Sequence, residues 1–128
     1  MEQQIVEKRR ELLKKIYTLL GVQALEGTQA EEREYLEKVR TLLLGQGFMR
    51  LGHCIQGGSW NLVLSNGRKL KKSCNELGVT CFDRYLDGMR GAAVSQNTTE
   101  AVQLMSRITE KRVQLRALLT EERELCGM

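Results

Sequence analysis

Apolar side chains recur at alternating steps of three and four residues through most of residues 97–126, with charged side chains between them. This spacing predicts an amphipathic helix whose apolar seam packs in the manner of a coiled coil. Asn97 is suited to cap the first turn, with Glu100 at the reciprocal position. A helix over about residues 98–126 would be about 40 Å long at 1.5 Å per residue. The seam consists of Ala101, Leu104, Ile108, Leu115, Leu118 and Leu125.

Two further amphipathic helices are predicted in the first third of the chain. The first covers about residues 3–20 and stops at Gly21, a residue that suits a helix end. The second begins at Thr28, the first residue of a capping box, and runs to about residue 44. Two helices joined by a short loop usually fold back on each other, so residues 1–46 are predicted to form an antiparallel hairpin.

Residues 47–67 differ from the rest because five of them are glycine, which is unfavourable inside a helix. Apolar residues alternate on either side of Gly57-Gly58, and Asn66-Gly67 is a strong hairpin-turn signal. The pattern predicts a small glycine-rich antiparallel β element within about residues 48–72. Its strands are expected near residues 48–56, 60–65 and 68–71.

Helical spacing returns near Leu70, which predicts a short helix closed by Gly78 and a second one that begins at Thr80 and ends before Gly91. The predicted fold is therefore mainly α, with one domain over residues 1–128. Within it we expect a helical hairpin at 1–46, a β/turn insert at 47–78, and helices that can extend as a coiled coil at 79–128.

Composition supports a helical domain in an aqueous compartment. The chain has 41% hydrophobic and 28% charged residues, no proline and a net charge of +4. It opens without an apolar targeting segment, and no apolar run approaches the ~20 residues that cross a bilayer, so we expect no membrane association. Four cysteines without a secretion signal predict free thiols and a cytoplasmic or nuclear location.

Residues suited to catalysis are few. The cysteine spacings match no zinc pattern, and the chain has one histidine. That residue, His53, is predicted to be partly buried on a strand, facing away from Cys54, so the two would not form a catalytic pair. The acidic residues fall mostly on helix surfaces among lysines and arginines. The sequence therefore predicts no enzyme activity, cofactor, metal or small-molecule substrate.

Four cations occur within five residues directly after Asn66-Gly67, in a segment whose seven basic and three acidic side chains (residues 47–96) match the whole net charge. Such a cluster can neutralise phosphates, or it can be a solvated sheet edge that discourages aggregation. Residues 70–88 superficially resemble a helix-turn-helix, although Asp83 and Asp87 would repel phosphates. The candidate nucleic-acid contacts are Arg50, Arg68, Lys69, Lys71 and Lys72.

The favoured function is that of a non-catalytic interaction subunit or adaptor. Each of the first two helices would be about 26 Å long, so neither alone covers the ~40 Å seam. Residues 111–125, where charges that include Glu122 flank the seam, are therefore expected to meet another copy or a different protein. A nucleic-acid-binding domain is the first alternative, and a helical chaperone with an apolar groove between the first two helices is the second. The candidate partner-binding residues are Leu104, Ile108, Leu115, Leu118, Leu119 and Leu125.

Overall fold

The computed structural model describes residues 2–23 and 27–127, and these residues form six α-helices and no strand. The prediction of a mainly α fold is therefore confirmed. The helices are α1 (Glu2–Leu20), α2 (Gln29–Leu44), α3 (Gln46–Gln56), α4 (Trp60–Glu76), α5 (Asp83–Val94) and α6 (Thr98–Cys126).

The longest helix, α6, lies at the centre of the fold. Helices α1, α2, α3 and α5 all pack against it, and α4 packs on α3 and α5. Because its neighbours come from both ends of the chain, the apolar positions of α6 are covered by residues that are distant in sequence. Large side chains that are almost fully buried in the resulting core include Ile16, Leu36, Phe48, Phe82, Ile108 and Leu115.

Two predicted helix starts are confirmed by their capping hydrogen bonds. The side chain of Thr28 accepts a bond from the backbone N–H of Glu31 at 3.2 Å. The side chain of Asn97 accepts one from the N–H of Glu100 at 3.1 Å. Each bond satisfies a backbone donor that has no carbonyl partner in the first turn of a helix. The bounds of α6, Thr98–Cys126, accordingly agree with the prediction of about 98–126.

Four helices end in a residue with left-handed backbone, which lets the next N–H bond the carbonyl five residues back. Glycine takes this position after α1, α3 and α4, and Gln96 takes it after α5 with a φ of 53°. The N–H of Val79 thus bonds the carbonyl of Cys74 at 2.9 Å, and that of Asn97 bonds Ala92 at 2.8 Å. The predicted stops at Gly21 and Gly78 are confirmed by this geometry.

The predicted β element at 48–72 and the β/turn insert at 47–78 are wrong, because α3 and α4 occupy these residues. The buried residues Phe48, Leu51 and Ile55 follow helical spacing. Asn66-Gly67 lies inside α4 instead of forming a hairpin turn. Gly47, one of the glycines that indicated strands, has a packing role instead. A Cβ at this position would lie 2.8 Å from Leu70, so the lack of a side chain on Gly47 lets α3 approach α4.

The helices on either side of the Gly78 turn also differ from the prediction. The short helix expected over residues 70–77 is the end of α4, which starts ten residues earlier at Trp60. Thr80 does not cap α5, which begins at Asp83. The hydroxyl of Thr80 instead donates to the carbonyl of Gly21 at 2.8 Å, so the turn is held against the end of α1.

The hairpin predicted over residues 1–46 is not formed as a closely packed pair. Helices α1 and α2 make little backbone contact with each other, and each packs on α6. Their buried faces join the same core, which α6 completes. One direct link between them is an ion pair, in which Nη2 of Arg9 lies 2.6 Å from Oε1 of Glu32.

Candidate functional site

The predicted partner-binding residues lie on the face of α6 that meets its own chain. Ile108, Leu115 and Leu119 are at most 2% exposed. Leu104, Leu118 and Leu125 are partly buried against the same core. This face is the seam that the sequence predicted, so its main contact is intramolecular.

The helix lengths predicted that the second half of the seam would have no partner within the chain. That prediction is wrong, because several helices together pack along α6. Near the start of α6, Leu104 packs on Gly88 of α5, and Met105 faces Gly52 of α3. Near its end, α1 and α2 take over, and Arg40 of α2 reaches its last turns. Four shorter helices therefore cover together a seam that is longer than any one of them.

Glu122 is a buried charge at the junction of α1, α2 and α6, with 3% of its side chain exposed. Its Oε2 accepts a hydrogen bond from Nη2 of Arg40 at 3.0 Å, and its Oε1 accepts one from Nε of Arg9 at 3.3 Å. Arg40 also donates to the carbonyl of Leu119 at 2.8 Å. The sequence placed Glu122 among charges flanking the seam. The structure shows that it joins three helices instead.

An open groove of about 820 Å³ runs between α1 and α6. Leu19 and Leu118 lie along it, and both are only partly buried. Of the predicted partner-binding residues, Leu118 is the one that lines this groove. The other lining residues are Glu11, Lys14, Lys15, Thr18, Gln114 and Ala117.

Lys14, Lys15 and Glu11 line the α1 side of this groove and give that edge a net charge of +1. Lys14 and Lys15 are exposed, and within residues 2–23 and 27–127 neither forms an ion pair. Sequence reasoning missed them, together with Leu19, as site residues. The sequence does contain a sign of this groove. Leu19 is next to Leu20, and Leu118 is next to Leu119, so the apolar face of each helix is wider than one packing contact buries.

The groove that the chaperone alternative placed between the first two helices has a different character. A space of about 650 Å³ is present there, but polar and charged side chains such as Arg9, Arg10 and Glu32 help to line it. An apolar segment would have to desolvate these groups to bind. The apolar groove lies instead between α1 and α6.

The structure brings together four of the five predicted nucleic-acid contacts on α4 and separates the fifth. Arg68, Lys69 and Lys72 are exposed on α4, and Lys71 forms an ion pair with Asp87 of α5. Arg50 lies on α3, where its guanidinium donates to Gln46 at 3.0 Å.

A second groove, of about 320 Å³, lies where α4 packs beside α5. Arg68 and Lys71 line its α4 side, and Arg90 lines its α5 side. The sequence did not identify Arg90 as a candidate, since its proximity to α4 depends on the turn at residues 77–82. The turn joins α4 and α5, and both helices extend beyond the helix-turn-helix-like segment predicted over residues 70–88.

Other candidate chemistry is sparse. His53 is exposed on α3, which corrects the prediction of a partly buried strand histidine. Its neighbour Cys54 accepts a hydrogen bond from the amide of Asn66 at 3.2 Å. Across the described ranges no group of three or more His, Cys, Asp or Glu side chains is placed to hold a metal ion. Nor is any helix there both long and apolar enough to cross a membrane.

Comparison with known proteins adds no assignment. No family model matches the chain, and no curated protein or solved structure is detectably similar to it.

Proposed function

We propose that this chain is a non-catalytic interaction subunit whose α1/α6 groove binds a helix of a partner protein. The groove itself is the observation that carries the proposal: it is open, about 820 Å³ in volume, and lined by partly exposed Leu19 and Leu118. Apolar surface that a chain leaves open beside its own core gains free energy when a partner covers it.

The chemistry of the groove favours an amphipathic helix with acidic flanks as the occupant. Two antiparallel or parallel helices present a valley that a third helix can fill with residues spaced by three and four. Lys14 and Lys15 stand at one edge without an ion-pair partner in the described chain, so carboxylates on the incoming helix would meet them. Such rim charges contribute mainly to the rate and specificity of association.

The partner is proposed to be a different protein. In a two-fold symmetric homodimer the same patch meets itself, so it must be self-complementary. A groove facing an identical groove leaves a void, and it would also bring the two copies of Lys14 and Lys15 near each other. A convex helix from a different protein fills the groove without the void and without this repulsion.

Several features support the proposal that the chain is not an enzyme. Its single histidine is exposed, and the buried carboxylate of Glu122 is neutralised by Arg9 and Arg40. The four cysteines are free thiols, which fits the proposed cytoplasmic or nuclear location. A chaperone role remains the second candidate, because the same apolar groove could hold segments of many unfolded chains.

A site-specific photocrosslinker tests the proposed groove. Benzoylphenylalanine is placed at Ala117, which lines the groove, or at Thr120, an exposed residue of the same helix outside it. Irradiation of intact cells is expected to give one discrete adduct from position 117 and none from position 120. Charge reversal of Lys14 and Lys15 should weaken that adduct, whereas Lys8→Glu on the same helix should not.

Three other results would contradict the proposal in different ways. No adduct at position 117, or the same adducts at both positions, excludes the groove as the binding site. An adduct of twice the chain mass indicates a homodimer. A smear of many unrelated adducts supports the chaperone alternative instead.

A further inference from the structure

The surface made by α4 and α5 carries more positive charge than its acidic neighbours neutralise. Arg68, Lys69, Lys72 and Arg90 are all exposed, and no ion pair involves any of them in the part of the chain that the structure describes. Asp87 is already occupied by Lys71. Four cations of these two helices therefore remain available for an external anion, and two of them, Arg68 and Arg90, line the groove between the helices.

These cations are arranged in a row and across a groove. Arg68 and Lys72 are one turn apart on α4, so their side chains are neighbours on the helix surface. Arg90 stands on the opposite wall of the 320 Å³ groove that Arg68 also lines. An extended anion seated in the groove would thus be contacted from both sides, and contacts would continue along α4.

Gly67 leaves room in this groove. It lines the wall within the interior of α4, and no atom lies within 4 Å of the Cβ that another residue would carry. A glycine inside a helix costs up to about 1 kcal/mol relative to alanine. Packing explains Gly47 and Gly88, whose added Cβ atoms would press on leucines, but it does not explain Gly67. Its missing side chain keeps the groove open.

We propose that this surface binds the phosphate backbone of a nucleic acid, with Arg68 and Arg90 on either side of the strand and Lys72 beyond them. A phosphodiester backbone is a narrow, repeating anionic ridge, which suits a groove with cations on both walls. A flat anionic membrane would reach the outer cations but not the groove. This binding is independent of the α1/α6 groove and of any protein that occupies it.

The test is fluorescence anisotropy with a labelled 20-nucleotide single strand, measured with the full chain over a series of salt concentrations. Three to four phosphate contacts predict a slope of log K against log salt of about −2 to −3. Reversing Arg68 and Arg90 to glutamate should weaken binding at least tenfold and make the slope shallower by about 1.4, which is about 0.7 for each lost phosphate contact. Lys8→Glu with Arg10→Glu makes the same charge change on α1, away from the groove, and should preserve most of the binding.

Two variants separate the groove from general charge. Gly67→Leu fills the groove without changing charge and should weaken binding several-fold while the helix content, followed by circular dichroism, is retained. Asp87→Asn removes the local carboxylate, frees Lys71, and should strengthen binding.

Four results would overturn the proposal: no binding at 20 mM salt, equal losses from the α1 control, no effect of Gly67→Leu, or weaker binding by Asp87→Asn. Binding to phosphatidylserine vesicles without binding to the single strand would assign the surface to a membrane instead.

Discussion

Nη2 of Arg40 lies 3.0 Å from Oε2 of Glu122, and the two side chains are 12% and 3% exposed. This pair joins α2 to the last turns of α6, and Arg9 extends the contact to α1. The outer half of α6 is thereby held against its own chain by a buried polar contact as well as by leucines.

Removing the carboxylate should therefore destabilise the fold. Glu122→Ala leaves Arg40 and Arg9 without their common partner. The free energy of unfolding is expected to fall by about 2–4 kcal/mol. This is less than the loss for a fully buried pair, because the two arginines are partly exposed. Glu121→Ala, at an exposed neighbouring position, should change stability by less than about 0.5 kcal/mol. Urea unfolding of both variants measures the difference. Equal losses would show that the junction does not hold the helices together.

Replacing Gly47 or Gly67, two glycines of the segment for which strands were predicted, by alanine should change stability in opposite directions. Gly67→Ala adds a methyl group in open space and is expected to raise the free energy of unfolding by about 0.5–1 kcal/mol. Gly47→Ala places Cβ 2.8 Å from Leu70 and should lower it by about 1–3 kcal/mol. Chemical denaturation gives both values. Stabilisation by Gly47→Ala would contradict the close approach of α3 and α4.

Gln96 holds a backbone conformation that suits glycine better. With a φ of 53° it occupies the left-handed position at which α1, α3 and α4 carry glycine. Gln96→Gly is therefore expected to stabilise the protein by up to about 1 kcal/mol. The reverse change, Gly78→Ala at a φ of 70°, should lower the free energy of unfolding by about 1 kcal/mol. The loss comes from backbone strain alone, because the nearest atom to the added Cβ is 3.8 Å away, an ordinary contact distance. Melting temperatures that move the other way would refute this reading of the helix ends.

The thiols of Cys74, which is buried, and Cys81, which is partly buried, predict a loss of stability in alkali. Burial raises the pKa of Cys81 to about 11 and that of Cys74 to about 12. Above pH ~9 the unfolded chain releases these thiol protons, since an ordinary thiol has a pKa near 8.5, while the folded chain keeps them. The unfolded state then binds fewer protons, so the free energy of unfolding falls as pH rises from about 9 towards 11.

Urea titrations at pH 8, 9.5 and 10.5 follow that change. Cys81→Ala should remove part of the pH dependence. Stability that stays constant or rises between pH 8 and 10.5 would show that the thiols ionise in the folded chain.

The parts of the fold that local chemistry decides could be predicted from the sequence. The caps at Thr28 and Asn97 and the stops at Gly21 and Gly78 involve neighbours along the chain, and the structure has them as expected. The middle segment could not be predicted in this way. Gly47 indicates a turn locally, but its role depends on Leu70, which is distant in sequence and packs where a side chain would be.

The candidate sites were harder to predict because each depends on two distant helices. The seam on α6 was recognised, but its cover comes from four other helices. Glu122 looks like a surface charge until Arg9 and Arg40 are brought to it by α1 and α2. Leu118 was included for its place in the seam, yet its partial exposure beside Leu19 depends on where α1 packs on α6. Arg90 likewise becomes part of the basic surface through the α4–α5 turn.

Helix α6 is covered mainly by its own chain, and the proposed partner for the open α1/α6 groove is a different protein. The most direct measurement is the molar mass of the purified chain by light scattering, from low micromolar to several hundred micromolar concentration. A single mass of 14.6 kDa throughout is predicted. Twice that mass, reverting to the monomer when Leu118 is replaced by lysine, would contradict the claim, because a second copy would then fill the surface assigned to another protein.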